Sequence, residues 1–301
     1  MKLCSFLHPS GAHRVGAVTA AGLVDVTSQI PSYGPGGPMR RLLASGVDLT
    51  TVRADGPVVS DARLLPPVPD PSKVVAAPVN YRDHQAEMSQ DSHIDSLGVF
   101  LKAPSSLIAE GGRVELPYTD RRFDQEGELA VVIGRRARHV PADRATSYVA
   151  GYTCLLDMTM RGGEDRSVRK SFDTFTPLGP HLVTPDEVGP LDELELHTWV
   201  GGVLRQRADL RDLIWGVPEL IAYVSSVMEL LPGDVLATGT PAGVGQVHDG
   251  DDVVVEITRV GRLGVTVTDE GAVACPTRGK DKGPRPPAAL TPVSERAEDR
   301  T

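Results

Sequence analysis

Glu126 and Glu128 stand one residue apart in FDQEGELAVVIG, directly ahead of the apolar run 129–133. In extended chain, residues i and i+2 share a side, so both carboxylates face one way across a glycine that adds no side chain between them. Like charges held that close repel. That leaves three outcomes: a cation between them, a proton on one of them, or a solvated strand end of no consequence. A third acid, Asp157, interrupts the apolar stretch GYTCLLDMTM, where a lone buried carboxylate is costly unless something compensates it. Together the three make an all-oxygen set suited to Mg²⁺ or Mn²⁺, with positions left for water or substrate. Zinc fits less well, because the set holds no nitrogen or sulfur donor.

Next to consider is NYRDHQAEM, which carries His84 and Glu87 at i, i+3. In a short helix these share a face, so the carboxylate can orient the imidazole and raise its basicity, as a general base for water requires. An exposed polar helix with an incidental histidine would have the same spacing. The following SQDSHIDSLG is polar with no core pattern, which suits a lid carrying the base or an ordinary loop. RGGEDRSVRKSFDTFTPLGP brings Arg161, Arg166, Arg169 and Lys170 soon after Asp157. Such cations could bind substrate carboxylates or hold developing negative charge, or simply form a solvated face. ATGTPAGVG joins a strand to a Gly-rich turn with the hydroxyls of Thr238 and Thr240. It lacks the GK[ST] ending of a P-loop, but its amides could hold a carboxylate in a backbone nest. His13, His93, His139, His181, His197 and His248 show no partner pattern and read as ordinary surface or turn residues.

The elements that must position these groups are mostly strands. Short Val- and Ile-rich runs separated by Gly turns recur through KVVAAPVNY, LAVVIG, YVAGYTCLL, LELHTWVGG, DVLATGT, DDVVVEITRVG and GVTVTD. The expected class is α+β, mainly β. One amphipathic helix is expected in PELIAYVSSVMELLPGD, with Leu220, Ile221, Val224, Val227, Met228 and Leu231 on one face and Pro232-Gly233 ending it. Residues 1–65 read as a small N-terminal β-rich domain, and the Pro-rich stretch 66–72 as a boundary before a catalytic domain extending to 275. Residues 276–301 hold too few apolar side chains to order themselves and read as a disordered tail. The formal net charge of -9, from 40 acidic and 31 basic residues in 301, argues against nucleic acid and for a small-molecule partner. Cys4, Cys154 and Cys275 cannot all pair and lie far apart without CxxC spacing, so neither a disulfide framework nor a cysteine zinc site is indicated. There is no signal-peptide core and no apolar run near the roughly 20 residues of a membrane helix, so a cytoplasmic protein is expected.

In order along residues 64–270, NYRDHQAE, FLKAPSSL, FDQEGELAVVIG, GYTCLLDMTMR, RKSFDTFTPLGP and LATGTPAGVG resemble the fumarylacetoacetate hydrolase family. The resemblance implies a mixed β-sandwich or roll, a homodimer, and a divalent metal on Glu126, Glu128 and Asp157. It further implies that His84 is the general base, that Glu87 orients it, and that Lys170 stabilises charge on the substrate. Thr240, Arg161 and Tyr81 would contact the substrate. After Asp157 the chain departs from many acylpyruvate-cleaving relatives, reading Arg161-Gly162-Gly163-Glu164 and reaching Lys170 sooner. The implied activity is hydrolysis of a carbon–carbon bond in a β-diketo acid, an acylpyruvate or a fumarylacetoacetate-like compound. The alternatives are an isomerase or decarboxylase of a 2-hydroxy-dienoate or 2-oxo acid from aromatic ring cleavage, oxaloacetate decarboxylation included, and a catalytically silent metal-binding protein.

Overall fold

The structure, a computed structural model, describes residues 1–287. Among the described residues the strands form three sheets. The largest runs, in spatial order, Gly22–Asp25, His13–Thr19, Lys2–Leu7, Thr176–Val183, Val149–Leu156, Gly127–Ile133, Val235–Ala237, Val74–Ala76 and Phe100–Lys102. Neighbours on this path are antiparallel except Val235–Ala237 beside Val74–Ala76. A five-stranded sheet, ordered Val203–Asp209, Glu195–Val200, Asp252–Ile257, Gly261–Thr268 and Arg113–Glu115, packs against it. A small third sheet joins Thr159–Met160, Phe123–Gln125 and Gly245–Gln246. This is the mainly β architecture with few helices that the short Val- and Ile-rich runs predict.

Strand Gly127–Ile133 shows why those runs lack polar alternation. Leu129, Val131 and Ile133 enter the main core between the two large sheets, beside Leu196, Val255 and Leu263. Ala130 and Val132, pointing the other way, join two further apolar clusters. A strand buried on both faces is apolar on both, and from Leu129 to Ile133 it runs without a polar residue.

The N-terminal β region extends the large sheet: Lys2 pairs with Val183 and Leu3 with Leu182. Helix Pro38–Ala44 closes that end, with Met39, Leu42 and Leu43 packed against Leu3, Val15 and Leu182. The Pro-rich stretch is packed down. Pro67 O accepts from Ser5 Oγ at 2.7 Å, and the buried Asp234 carboxylate takes Ser72 N and Ser72 Oγ at 3.0 and 2.5 Å.

The expected amphipathic helix is Val217–Val227 and stops short of Leu231. Leu230 instead exchanges two backbone hydrogen bonds of 2.9 Å with Ala137, which draws the chain into extended form from Met228. Within the polar stretch after the His84 helix, Ile94 is fully buried against Ala77 and Leu220, an anchor that the absence of an apolar pattern hid. Of the expected tail, residues 288–301 lie outside the described residues. Residues 276–287 form no helix or strand, yet Thr277 accepts from Arg121 Nη2 at both its carbonyl (2.8 Å) and hydroxyl (2.6 Å). Among the described residues no helix is long and apolar enough to cross a membrane.

Candidate active site

Register builds the acidic group. Gly127 lies opposite Leu156 and Glu128 opposite Leu155, so Asp157, the next residue along, falls beside Glu126 and donates its N–H to Glu126 O at 2.8 Å. Oxygens from Glu126, Glu128 and Asp157, all buried, lie within 4.8 Å of one another. Among the described residues this is the one group of three or more His, Cys, Asp or Glu side chains arranged to hold a metal. Gly127 between the glutamates is required by packing, because a Cβ there would collide with Thr198 Oγ1. Its N–H is held by Gln206 Oε1 at 2.9 Å. Gly239, at φ +93°, brings its N–H to Glu128 Oε2 at 2.8 Å, and a Cβ there would meet that of Asn80 at 2.8 Å.

Three buried cations answer these acids. Lys170 Nζ donates to Glu126 Oε2 at 2.6 Å, Asp157 Oδ2 at 2.5 Å and Thr159 Oγ1 at 2.7 Å. Arg161 holds Asp124 Oδ2 at 2.6 Å and Glu126 Oε1 at 2.8 Å. Lys102 Nζ donates to Asp157 Oδ1 and Lys170 O, each at 2.5 Å. Burial works against ionising Glu126, but Lys170 and Arg161 outweigh it and hold its carboxyl well below the usual range. Glu128 goes the other way: burial, then the neighbouring Asp157 charge, push it well above. Its partner in hydrogen bonding is a backbone N–H rather than a cation. Three hard oxygen donors converge here, one of them short of positive charge, so the set fits a divalent ion.

His84 sits on the short helix Arg82–Glu87, as the i, i+3 spacing predicts, but buried rather than exposed. Its Nδ1 lies 3.3 Å from Glu87 Oε2, and Glu87 Oε1 accepts from Gly243 N at 2.9 Å. The Gly-rich turn therefore fixes the carboxylate that orients the imidazole. Asn80 ties the start of this segment to Thr238 O at 2.8 Å and to Trp215 O at 2.9 Å. Tyr81 is buried, its hydroxyl has no partner among the described residues, and burial followed by Asp83 and Glu128 pushes its pKa well up. The Thr240 hydroxyl is engaged within the protein, donating to Gly127 O at 2.9 Å and accepting from Gln206 Nε2 at 2.7 Å. It holds the turn against the glutamates.

Sequence reasoning passed over Lys102, Asp124, Gln125 and Gln206. Lys102 carried a usable signal, being a charge inside the apolar FLKAP run. Gln125 bridges Gly243 O and Gly245 N, each at 2.9 Å, and Gln206 bridges Gly127 to the turn. Nothing local in the sequence marks either.

Residues 73–268 match the family model described as fumarylacetoacetate (FAA) hydrolase, C-terminal. The chain belongs to the fumarylacetoacetate hydrolase family. Its relatives in the family include a maleylpyruvate hydrolase of Aquipseudomonas alcaligenes, 43% identical over 89% of this chain and 99% of that one. The solved maleylpyruvate hydrolase of Sphingobium sp. SYK-6, in complex with manganese(II) and pyruvate, matches with TM-score 0.76 and 36% identity over 89% of this chain and 99% of that one. A 5-carboxymethyl-2-hydroxymuconate delta-isomerase of Mycobacterium smegmatis matches with TM-score 0.72 and 32% identity, over 89% of this chain and all of that one. The family thus spans hydrolase and isomerase names on one framework, and the acidic group of this member sits in the matched segment.

Proposed function

We propose that the protein is a Mg²⁺- or Mn²⁺-dependent hydrolase that cleaves the carbon–carbon bond of an acylpyruvate. The observation that carries this reading is the pair of buried His84 and half-buried Glu87, 3.3 Å apart, tied through Gly243 N to the same Gly-rich turn whose Gly239 N holds Glu128. Likeness to maleylpyruvate hydrolases over nearly the whole chain supports it.

Glu126, Glu128 and Asp157 would hold the ion, which supplies Lewis-acid stabilisation of negative charge at the 2-oxo acid end. With Nδ1 on Glu87, His84 presents Nε2 as a base. His84 takes a proton from water as the water oxygen bonds to the acyl carbonyl carbon. The bond from that carbon to the methylene then breaks, and its electron pair moves to the methylene carbon. That carbon recovers the proton from His84, leaving the acyl carboxylic acid and pyruvate. Lys170 shares the developing negative charge, Arg161 keeps Glu126 ionised and in place, and the Tyr81 hydroxyl is free to donate to substrate. Thr240 acts by positioning the turn.

A second reading, an isomerase or decarboxylase of a 2-oxo acid or 2-hydroxy-dienoate, is favoured by the solved isomerase relative and needs no attacking water. His84→Ala separates the two. For the hydrolase it lowers single-turnover acylpyruvate cleavage by about 10²- to 10⁴-fold with metal affinity retained. Cleavage by His84→Ala at the wild-type rate would overturn the hydrolytic reading, and CO₂ release from oxaloacetate as the sole retained activity would promote the second.

A further inference from the structure

Asp124 is fully buried, and guanidinium groups take both of its oxygens: Oδ1 accepts from Arg122 Nε at 2.7 Å and Oδ2 from Arg161 Nε at 2.6 Å. Its backbone needs neither contact, because it pairs with Thr159 on one side and Gln246 on the other, in the middle strand of the small third sheet. The backbone of Arg161 is set by the same sheet. It follows Met160, which pairs with Phe123, and its N–H bonds to Arg122 O at 2.8 Å. What the sheet leaves open is the direction of the Arg161 guanidinium.

Asp124 and Glu126 stand two residues apart, and Arg161 spans them, giving Nε to Asp124 and Nη2 to Glu126 Oε1 at 2.8 Å. These two nitrogens form one edge of the guanidinium fork, which a single carboxylate ordinarily takes whole with two parallel bonds. Here the edge is divided. Glu126 therefore receives one N–H from Arg161 and one from Lys170, the latter at Oε2 and 2.6 Å, which leaves open about half of the roughly four lone-pair sites of a carboxylate. Asp124 pulls the harder: burial works against the Arg161 charge, but Asp124, ahead of Glu126, outweighs it and raises the guanidinium pKa.

We propose that Asp124 is a positioning residue that divides the Arg161 fork, so that Arg161 grips Glu126 through one oxygen and leaves that carboxylate open to a divalent ion. Without Asp124 the fork closes on Glu126 with both N–H groups and competes with the ion for its oxygens. The assignment rests on the divalent-metal reading of Glu126, Glu128 and Asp157, and is independent of which oxo acid is the substrate.

Calorimetric titration of the whole chain with Mn²⁺ tests it, in a cycle of Asp124→Asn and Arg161→Met. Asp124→Asn keeps the shape of the side chain and weakens Mn²⁺ binding by about 10-fold, the lower end for loss of a partner behind a metal ligand. In the Arg161→Met background there is no fork to close, and the same substitution changes the affinity by less than about 2-fold. A bare electrostatic effect of the lost charge would be equal in both backgrounds. A purely structural role would lower the melting temperature of the metal-free protein and leave the affinity of the folded molecules unchanged. Either result overturns the assignment. Arg122→Met/Asp124→Asn, which removes two opposite charges together, carries the same expectation should the single variant fail to fold. A wild type that binds no Mn²⁺ would overturn the metal reading and this assignment with it, whereas one that binds Mn²⁺ and cleaves no acylpyruvate would sink only the acylpyruvate reading.

Discussion

Lys102→Met keeps the apolar stem and removes the charge. Lys102 Nζ donates to Asp157 Oδ1 and Lys170 O at 2.5 Å and to Phe175 O at 3.2 Å, with the side chain fully buried. Removing one partner of a buried ion pair costs about 3–5 kcal/mol because the other charge is stranded. Asp157 keeps Lys170 Nζ on its second oxygen, which puts this share near the lower limit, about 3 kcal/mol. Two carbonyls lose a donor, adding about 1 kcal/mol each. Relief of the buried ammonium, whose pKa burial lowers although Asp157 opposes it, offsets part of the sum. The expected net loss is about 3–5 kcal/mol. Urea unfolding of both proteins, without metal and in saturating Mn²⁺, measures it. The ion should stabilise the variant less than the wild type, because Asp157 is then held from one side only. A loss under about 1 kcal/mol, as for a surface substitution, together with unchanged Mn²⁺ affinity, would refute the reasoning.

Asp157→Asn keeps the shape of the side chain and should weaken Mn²⁺ binding by about 10²-fold or more in calorimetric titration; activity undiminished after chelator treatment would contradict a metal at this group. Ending the chain at Pro287 should leave melting and activity unchanged, whereas ending it at Cys275 should cost about 1–3 kcal/mol, since Arg121 Nη2 loses both Thr277 acceptors. Identical melting of the two truncations would show that the Thr277 contact adds nothing. For Asp25, burial raises the carboxyl pKa, but hydrogen bonds from Thr27 and the Arg14 charge outweigh it and hold the pKa low. A folded-state pKa below the unfolded value of about 3.9 stabilises above that pH and is lost as pH falls through the folded value. The stability gap between wild type and Asp25→Asn should therefore stay level from about pH 7 to 5 and close in stronger acid; a gap that widened on acidification would contradict it.

What could be read in the chain before the fold follows from how local each signal is. Gly127–Ile133 and Val149–Leu156 announce themselves because strands buried on both faces read as near-continuous apolar runs. The pairing of Lys2 with Val183 cannot be read that way, since it joins residues far apart whose patterns are each complete alone. Helix Pro38–Ala44 was hidden by its neighbours: PSYGPGG breaks the pattern up to Gly37, and Pro38, which reads as one more breaker, occupies the first-turn position where proline starts a helix. The Val217–Val227 helix ended early because a tertiary bridge at Leu230, not the proline beyond it, decided the boundary.

The site divides along the same line. Asp157 stood out because a carboxylate inside GYTCLLDMTM demands a partner, and Lys102 inside FLKAP meets that criterion with the opposite sign. Each was the other's explanation, 55 residues apart and 2.5 Å away. Lys170 could pass for one more cation on a solvated face because its helix neighbours Arg166 and Val168 are exposed or partly so, and spacing within one turn cannot show that the chain closes over its end. Charges in apolar surroundings therefore locate a buried site from sequence, and only the sheet register pairs them.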